Sequence, residues 1–251
     1  MHSRAPNPPL LNASQYGTTG FTPGQVVGGR WKPLFHYYAQ HLYTDLFATC
    51  GADGRCLVRN DGAAAGFSGF FVLRLLNVSN SAVIPLNRTA VSLGPGAGAA
   101  AWLCAAGAGS PWASSCASWA DALAPLGASP AGAVLLTSLE DAAGTAVYSS
   151  FELLSTPAAM AGAGALSRNV SVTAIVGAPA PDGRSVPVTI SVSQPAAALL
   201  VTLTTAAQGR FSENALVLPA GDRVVSFVAF GALDVATLAA TLRVEHARSY
   251  V

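Results

Sequence analysis

The side chains that most often do chemistry are few in this chain, and their spacing does not favour a metal or cofactor site. The sequence has 4 histidines in 251 residues. His36 and His41 lie five positions apart in a predicted helix, so they do not share a face as a metal-binding pair at a spacing of four would. We therefore predict no metal ligand set and no bound cofactor.

Motifs for a nucleophilic serine or a bound phosphate are also missing. The sequence contains no Gly-x-Ser-x-Gly segment of the kind that presents a reactive serine on a strand-to-helix turn. The glycine-rich segment Gly94–Gly98 lacks the Lys-Ser/Thr of a phosphate-binding loop, which favours a simple turn.

The 4 cysteines form two local pairs, Cys50 with Cys56 and Cys104 with Cys116. Zinc is the competing interpretation, but neither pair has Cys-x-x-Cys spacing and no histidine pair accompanies them. An even cysteine count is typical of disulfides in an oxidising compartment. All four are therefore candidate disulfide cysteines.

Asn-x-Ser/Thr triplets point to the same compartment, because they are acceptors for N-linked glycans. The triplets begin at Asn12, Asn77, Asn87 and Asn169. The N-terminal segment has no apolar region of the kind found in a secretion signal. Cysteines and triplets together still favour the secretory pathway.

Composition excludes several classes of partner. Charged residues make up 10% of the chain, against about 25% in an average soluble domain. The net charge is +1 without a basic cluster, so no nucleic acid partner is expected. The longest weakly polar run, Ala97–Gly109, is shorter than the roughly 18 residues of a spanning helix, and we expect no membrane insertion.

One amphipathic helix is predicted near the start of the chain. Its apolar stripe consists of Leu34, Phe35, Tyr38, Leu42, Leu46 and Phe47. The recurrence at every fourth residue is typical of a helix, and its apolar face needs a large partner surface. We assign residues 28–48 to this helix and residues 1–27 to an irregular segment that supplies no such partner.

The remainder of the chain favours β-strands in two blocks. Residues 49–160 contain β-branched and aromatic segments between turn signals. The predicted strands are 67–78, 82–93, 99–105, 133–139 and 145–154. A loop with a short helix is predicted at 110–126, and the Ala/Gly/Pro stretch at 155–166 suits a domain boundary.

Alternation is clearest in residues 161–251. Val186, Val188 and Ile190 are apolar residues at alternate positions, so they are expected on one face of a strand. About seven short strands are predicted in this block, the last at 240–246. That number is typical of an immunoglobulin-like sandwich. The predicted fold class is therefore mainly β, with two immunoglobulin-like β-sandwiches that follow the helix.

Two segments of the chain resemble motifs of one enzyme family. Gly28-Gly-Arg-Trp-Lys-Pro-Leu and the following His36-Tyr-Tyr-Ala-Gln resemble a Gly-x-Trp-Lys-x-Leu-His-Tyr-x-Ala segment. Gly209-Arg-Phe-Ser-Glu-Asn resembles a Gly-x-Phe-Ser-[Asp/Glu]-Asn motif. Both motifs are those of the β-mannosidases in glycoside hydrolase family 2, and the resemblance is closest to the lysosomal branch. The matching residues are Trp31, Lys32, His36, Tyr37, Gly209, Phe211, Ser212 and Asn214.

The resemblance implies an incomplete enzyme. Residues 28–48 would be the last helix of a catalytic (β/α)8 barrel that this chain otherwise lacks, and the sandwiches would be accessory modules of that barrel. Leu34-Phe35-His36 has one residue more than the family's Leu-His pair, and 16–21 replaces an expected Trp-Ser-Ser-Ile-Glu-Tyr segment. An unspliced intron or an incomplete gene model would give this pattern.

The carboxylates decide whether activity is expected. Retaining glycosidases use two carboxylates about 5–5.5 Å apart, and in the resembled family the acid/base glutamate follows an asparagine. The glutamates of this chain are Glu140, Glu152, Glu213 and Glu245, and none follows an asparagine. We therefore predict no catalytic residue here and no hydrolysis by the chain alone.

By resemblance, the complete enzyme would remove terminal non-reducing β-D-mannose during lysosomal breakdown of glycoproteins and oligosaccharides. The alternative is a non-enzymatic secreted immunoglobulin-like or glycan-binding protein derived from such an enzyme. Trp102, Trp112 and Trp119 are candidate platforms for a sugar ring, although tryptophans are often packed inside sandwich cores.

Overall fold

A computed structural model describes residues 26–27, 30–31, 44–50, 55–96, 98–103, 119–166 and 170–250. Strands dominate these residues, and they build two β-sandwiches in succession. The predicted fold class, mainly β with immunoglobulin-like sandwiches, is confirmed. No helix in these ranges is both long and apolar enough to span a membrane.

The ends of the predicted helix are strands, which corrects the assignment of 28–48. β1 (Val26–Val27) pairs with β2 (Arg30–Trp31), and β3 (Leu46–Cys50) pairs with a later strand. Leu46 and Phe47 belong to β3 because strand pairing and contact with the sandwich core override their helical spacing. The centre of the predicted helix, 32–43, lies outside the described residues.

The first sandwich packs a three-stranded sheet on a four-stranded one. The three-stranded sheet has the order β3-β4-β7, with β4 at Arg55–Asn60 and β7 at Gly98–Leu103. The other has the order β6-β5-β8-β9. Its strands are β5 (Phe67–Asn77), β6 (Val83–Leu93), β8 (Ala133–Glu140) and β9 (Ala146–Leu153).

Alternate residues of these strands form the core between the two sheets. Phe71 and Leu75 of β5 and Leu135 and Leu139 of β8 are buried there. A short helix, α1 (Trp119–Leu123), and 3-10 helices at Ala124–Leu126 and Pro130–Gly132 connect β7 to β8. The tryptophan that begins α1 is 5% exposed in the same core, so it is not a platform for a sugar.

The second sandwich repeats the two-layer design. One sheet has the order β10-β11-β15-β13, and the other β14-β12-β16. The strands of the first are β10 (Val172–Val176), β11 (Ser185–Val192), β13 (Gly209–Phe211) and β15 (Gly221–Ala229). Those of the second are β12 (Ala198–Thr204), β14 (Leu216–Leu218) and β16 (Arg243–Glu245). Val186, Val188 and Ile190 are fully buried, as their alternate positions predict.

A helix replaces the start of the predicted last strand. Residues 240 and 241 belong to α3 (Val235–Thr241), and only Arg243–Glu245 form β16. Asp234 caps α3 by accepting a hydrogen bond of 2.9 Å from the backbone N–H of Thr237. A 3-10 helix, Ala247–Tyr250, follows β16.

The sandwiches meet at a small apolar cluster around α2 (Pro157–Gly162). Met160 of this helix packs with Leu76 and Val134 from the first sandwich and with Leu199 from the second, and all four side chains are buried. The backbone N–H of Ala197 also donates to the Val78 carbonyl at 2.8 Å. These contacts fix how β12 lies against the first sandwich.

Candidate functional site

The Gly209–Asn214 motif forms part of the second core. Its glycine and phenylalanine lie on β13, where Phe211 packs edge-on against Phe227 with 5.3 Å between ring centroids. Ser212 accepts a hydrogen bond of 3.0 Å from the backbone N–H of Ser226. Each of these contacts links β13 to β15, so the motif's first residues hold an edge strand in place.

Asn214 supplies hydrogen bonds that a neighbouring strand would otherwise supply. Its Oδ1 accepts from the Leu203 N–H at 2.8 Å, and its Nδ2 donates to the Leu203 carbonyl at 2.8 Å. Oδ1 also accepts from the Ala215 N–H at 3.0 Å. Asn214 is 2% exposed. The amide therefore satisfies buried backbone groups of β12, which is a structural role.

Glu140 is held by arginines on the outer face of the sheet β6-β5-β8-β9. Its Oε1 lies 2.7 Å from Arg74 Nη2, and its Oε2 lies 3.7 Å from Arg88 Nε. Arg74 also donates to Ser138 Oγ at 3.1 Å, and Arg88 lies over the ring of Phe70 at 3.4 Å. Glu140 is thus a buried carboxylate paired with two cations.

Glu152 lies on the opposite side of that sheet. It pairs in register with Leu135, a core residue, and its Oε1 accepts from Thr49 Oγ1 at 2.7 Å. Burial raises the pKa of the Glu152 carboxyl, and the bond from Thr49 opposes that rise. Burial likewise raises the pKa of Tyr148 on the same strand. Glu140 and Glu152 therefore lie on different faces.

A pH-dependent stability is expected from Glu152. Its folded pKa lies above its ordinary value of 4.5, so the folded state binds the proton more tightly, and stability falls as pH rises through this window. Glu152→Gln keeps the acceptor for Thr49 and should raise the free energy of unfolding at pH 7 by about 0.5 kcal/mol.

Urea denaturation at pH 7 and pH 4 tests this expectation. The advantage of Glu152→Gln should shrink at the lower pH, because the carboxyl is then largely neutral. Asp222→Asn removes a carboxylate from an exposed position and serves as the matched control. An equal gain at both pH values would contradict the assignment of the effect to burial of charge.

The other two glutamates and His246 lie in the second sandwich. Glu213 forms an ion pair with Arg223, whose Nη2 donates to both carboxylate oxygens at 2.8 and 2.7 Å. Glu245 pairs in register with Thr202 on β12. Burial lowers the pKa of His246. Among the described residues, no three His, Cys, Asp or Glu side chains are grouped as metal ligands would be.

Cysteines and glycan acceptors are only partly described. Cys50 and Cys56 face each other across the β3–β4 hairpin and form a disulfide. Asn77 ends β5, and Asn87 accepts from Thr89 Oγ1 at 2.9 Å on the edge strand β6. The remaining predicted residues, Cys104, Cys116, Asn12 and Asn169, lie outside the described residues.

The first family motif is also largely outside the described residues. Trp31 lies on β2, whereas the structure does not describe Lys32, His36, Tyr37 or Trp112. The backbone of Trp102 belongs to β7.

A groove between the two sandwiches was not predicted from the sequence. It encloses about 420 Å³ and is bordered by strands β8 and β9 on one side and by residues 213–223 on the other. Arg74 lies at this groove and is the one charged residue of the strand β5. A single arginine within Phe67–Asn77 was therefore the signal that sequence reasoning could have used.

Among protein families, the match falls on the second sandwich. Residues 182–250 match Ig_mannosidase, which is described as an Ig-fold domain. A search among curated proteins finds no match.

Solved structures extend the similarity to both sandwiches. A β-D-mannosidase from Dictyoglomus thermophilum is 13% identical, with a TM-score of 0.53 over 87% of this chain and 23% of that chain. The exo-β-D-glucosaminidase CsxA is 16% identical, with a TM-score of 0.51 over 85% of this chain and 26% of that chain. The exo-chitosanase CsxA of Amycolatopsis orientalis is 16% identical, with a TM-score of 0.50 over 85% of this chain and 26% of that chain.

At these identities the similarity is one of fold. The chain spans about a quarter of the length of the solved structures that it matches. Its two sandwiches account for nearly all of the described residues, and the second contains the matched segment. The C-terminal part of this chain is an Ig-fold domain of the mannosidase type.

Proposed function

We propose that this chain is the C-terminal accessory region of a β-mannosidase-like glycoside hydrolase of family 2. The observation that carries the proposal is the match of residues 182–250 to the Ig-fold domain of the mannosidase type. The Gly209–Asn214 motif lies within that match and builds its core contacts. Two of the solved structures with the same fold are named a β-D-mannosidase and an exo-β-D-glucosaminidase.

The complete enzyme would hydrolyse terminal non-reducing β-D-mannose residues in glycoprotein and oligosaccharide breakdown. Its two catalytic carboxylates, about 5–5.5 Å apart in a retaining enzyme, would come from a barrel that precedes the sandwiches. Here Glu140 and Glu213 are paired with arginines, and Glu152 is bonded to a threonine. These contacts suit structural carboxylates, so the sandwiches would support the barrel and not perform its chemistry.

A lysosomal location is part of the same proposal. It is supported by the disulfide between Cys50 and Cys56 and by the four glycan acceptor triplets, since both belong to proteins that pass through an oxidising compartment.

The size and activity of the native polypeptide test this proposal. An antibody raised against the second sandwich should detect a polypeptide much longer than 251 residues in the source tissue. Immunoprecipitated material should hydrolyse 4-nitrophenyl β-D-mannopyranoside, whereas the purified 251-residue chain should not exceed buffer.

A native polypeptide of 251 residues without β-mannosidase activity would overturn the proposal and favour the non-enzymatic alternative. Turnover by the purified chain alone would contradict the structural role of its glutamates. The same precipitate assayed with 4-nitrophenyl β-D-glucosaminide separates a mannosidase from a glucosaminidase.

A further inference from the structure

The groove between the sandwiches has no role in the proposed hydrolysis, yet it has the size of a ligand site. Its volume of about 420 Å³ falls within the roughly 300–1,000 Å³ of small-molecule pockets. Its position is fixed, because the Ala220 N–H donates to Ser81 Oγ at 2.9 Å and thereby ties its upper wall to the first sandwich. Because the groove is already formed, little free energy is needed to rearrange it when a ligand binds.

The floor of the groove is the outer face of the sheet β6-β5-β8-β9. Strand register places Arg74, Leu136 and Phe151 in one row across this face. The adjacent row contains Ser138 and Ser149. An apolar strip therefore lies beside two hydroxyl groups, with a guanidinium at one end of the strip.

The opposite wall belongs to the second sandwich. It consists of β14, the loop that follows it and the ion pair between Glu213 and Arg223. Arg223 and Glu213 are 51% and 40% exposed, and Arg74 is 38% exposed although it is bonded to Glu140. Each of these charged groups is thus held by an ion-pair partner, while a substantial part of its side chain remains accessible.

The charges that line the groove are balanced. Two arginines, Arg74 and Arg223, are matched by Glu213 and Asp222. A strongly ionic ligand would gain no net attraction here. An uncharged ligand rich in hydroxyl groups fits better, since each hydroxyl both donates to a carboxylate and accepts from a guanidinium or serine.

We propose that this groove binds an uncharged saccharide of one or two rings. The hydroxyl groups would bond to Arg74, to the exposed Ser149 and to the Glu213–Arg223 pair. The C–H face of a ring would lie on Leu136 and Phe151, whose side chains are partly exposed. This would be a non-catalytic glycan site within the accessory region, in a different place from the tryptophans that the sequence suggested.

Saturation-transfer NMR on the full chain tests the proposal with four neutral disaccharides: β-1,4-mannobiose, cellobiose, lactose and N,N′-diacetylchitobiose. At least one should receive saturation and bind with a dissociation constant that calorimetry can measure. Ser149→Tyr should weaken that binding at least about tenfold, because Ser149 is exposed at the groove floor and a larger side chain there fills the space.

Thr173→Tyr is the matched control, because Thr173 is an exposed strand residue on β10, outside the groove lining. It should leave binding unchanged. Arg223→Ala should weaken binding about threefold or more without unfolding the chain, since its ion pair is exposed. Circular dichroism of each variant establishes that it is folded.

Absence of saturation transfer to all four sugars overturns the proposal, and so does equal binding by Ser149→Tyr and Thr173→Tyr. Tighter binding of mannose 6-phosphate than of mannose would overturn the inference of an uncharged ligand. None of these results bears on the proposed hydrolase, whose test is the activity of the longer native polypeptide.

Discussion

Replacing Asn214 with alanine is expected to lower the free energy of unfolding by about 4 kcal/mol. The change removes both partners of the Leu203 backbone and one bond to the Ala215 N–H. Each buried backbone group left without a partner costs about 1–3 kcal/mol. Urea denaturation followed by circular dichroism measures the loss, because the β-strands of the second sandwich give a signal that disappears when the sandwich unfolds.

Two variants separate the hydrogen bonds from general effects of mutation. Ser212→Ala alters an exposed residue of the same motif and should change stability by less than about 0.5 kcal/mol. Asn214→Asp keeps the acceptor for the Leu203 N–H but loses the donor to its carbonyl, so it should also be clearly destabilised. A loss below about 1 kcal/mol in Asn214→Ala would show that water or a rearranged loop replaces the amide.

Replacing Gly209 with alanine is expected to cost about 3 kcal/mol through overpacking. A Cβ atom at this position would lie 2.3 Å from Phe227 Cζ and 2.5 Å from the Val228 carbonyl oxygen. Phe227 is 1% exposed in the core and Val228 is on the paired strand β15. Neither group has room to move away, so β13 must shift. Thermal and urea unfolding both report the effect.

Gly231→Ala is the control for the change in backbone entropy. A Cβ atom there meets no heavy atom within 4 Å, so this variant should be neutral or slightly stabilised. If Gly209→Ala had the same free energy of unfolding as Gly231→Ala, β13 would be only loosely attached to β15. That outcome would remove the structural explanation for the first residue of the motif.

The sequence was a good guide to strand faces but a poor one to contacts. Alternation in Val186, Val188 and Ile190 predicts their burial correctly, because period two is a local property of any strand. The motif that contains Gly209 and Asn214 was visible as a resemblance. Its physical roles were not, since the partners Leu203 and Phe227 are distant in sequence and meet only after the sheets have formed.

The predicted secondary structure was wrong where the local sequence pattern and the tertiary contacts favour different structures. Leu46 and Phe47 continue a helical spacing, yet they form a strand because β4 pairs with them and the first core receives them. Residues 240 and 241 continue an apolar pattern that also suits a strand, but the cap at Asp234 and the burial of Leu238 form a helix. In both places the spacing alone permitted either structure.

The amino-acid sequence by itself determined that the chain is mainly β, that its strands form two sandwiches and that its second sandwich has a mannosidase-type motif. Each of these follows from patterns within a few neighbouring residues. Only the tertiary structure decided that Arg74 meets Glu140, from β5 to β8, and that a charge-balanced groove lies between the sandwiches. Such features depend on strand register and domain packing, which join residues far apart in the chain and leave no local periodic pattern.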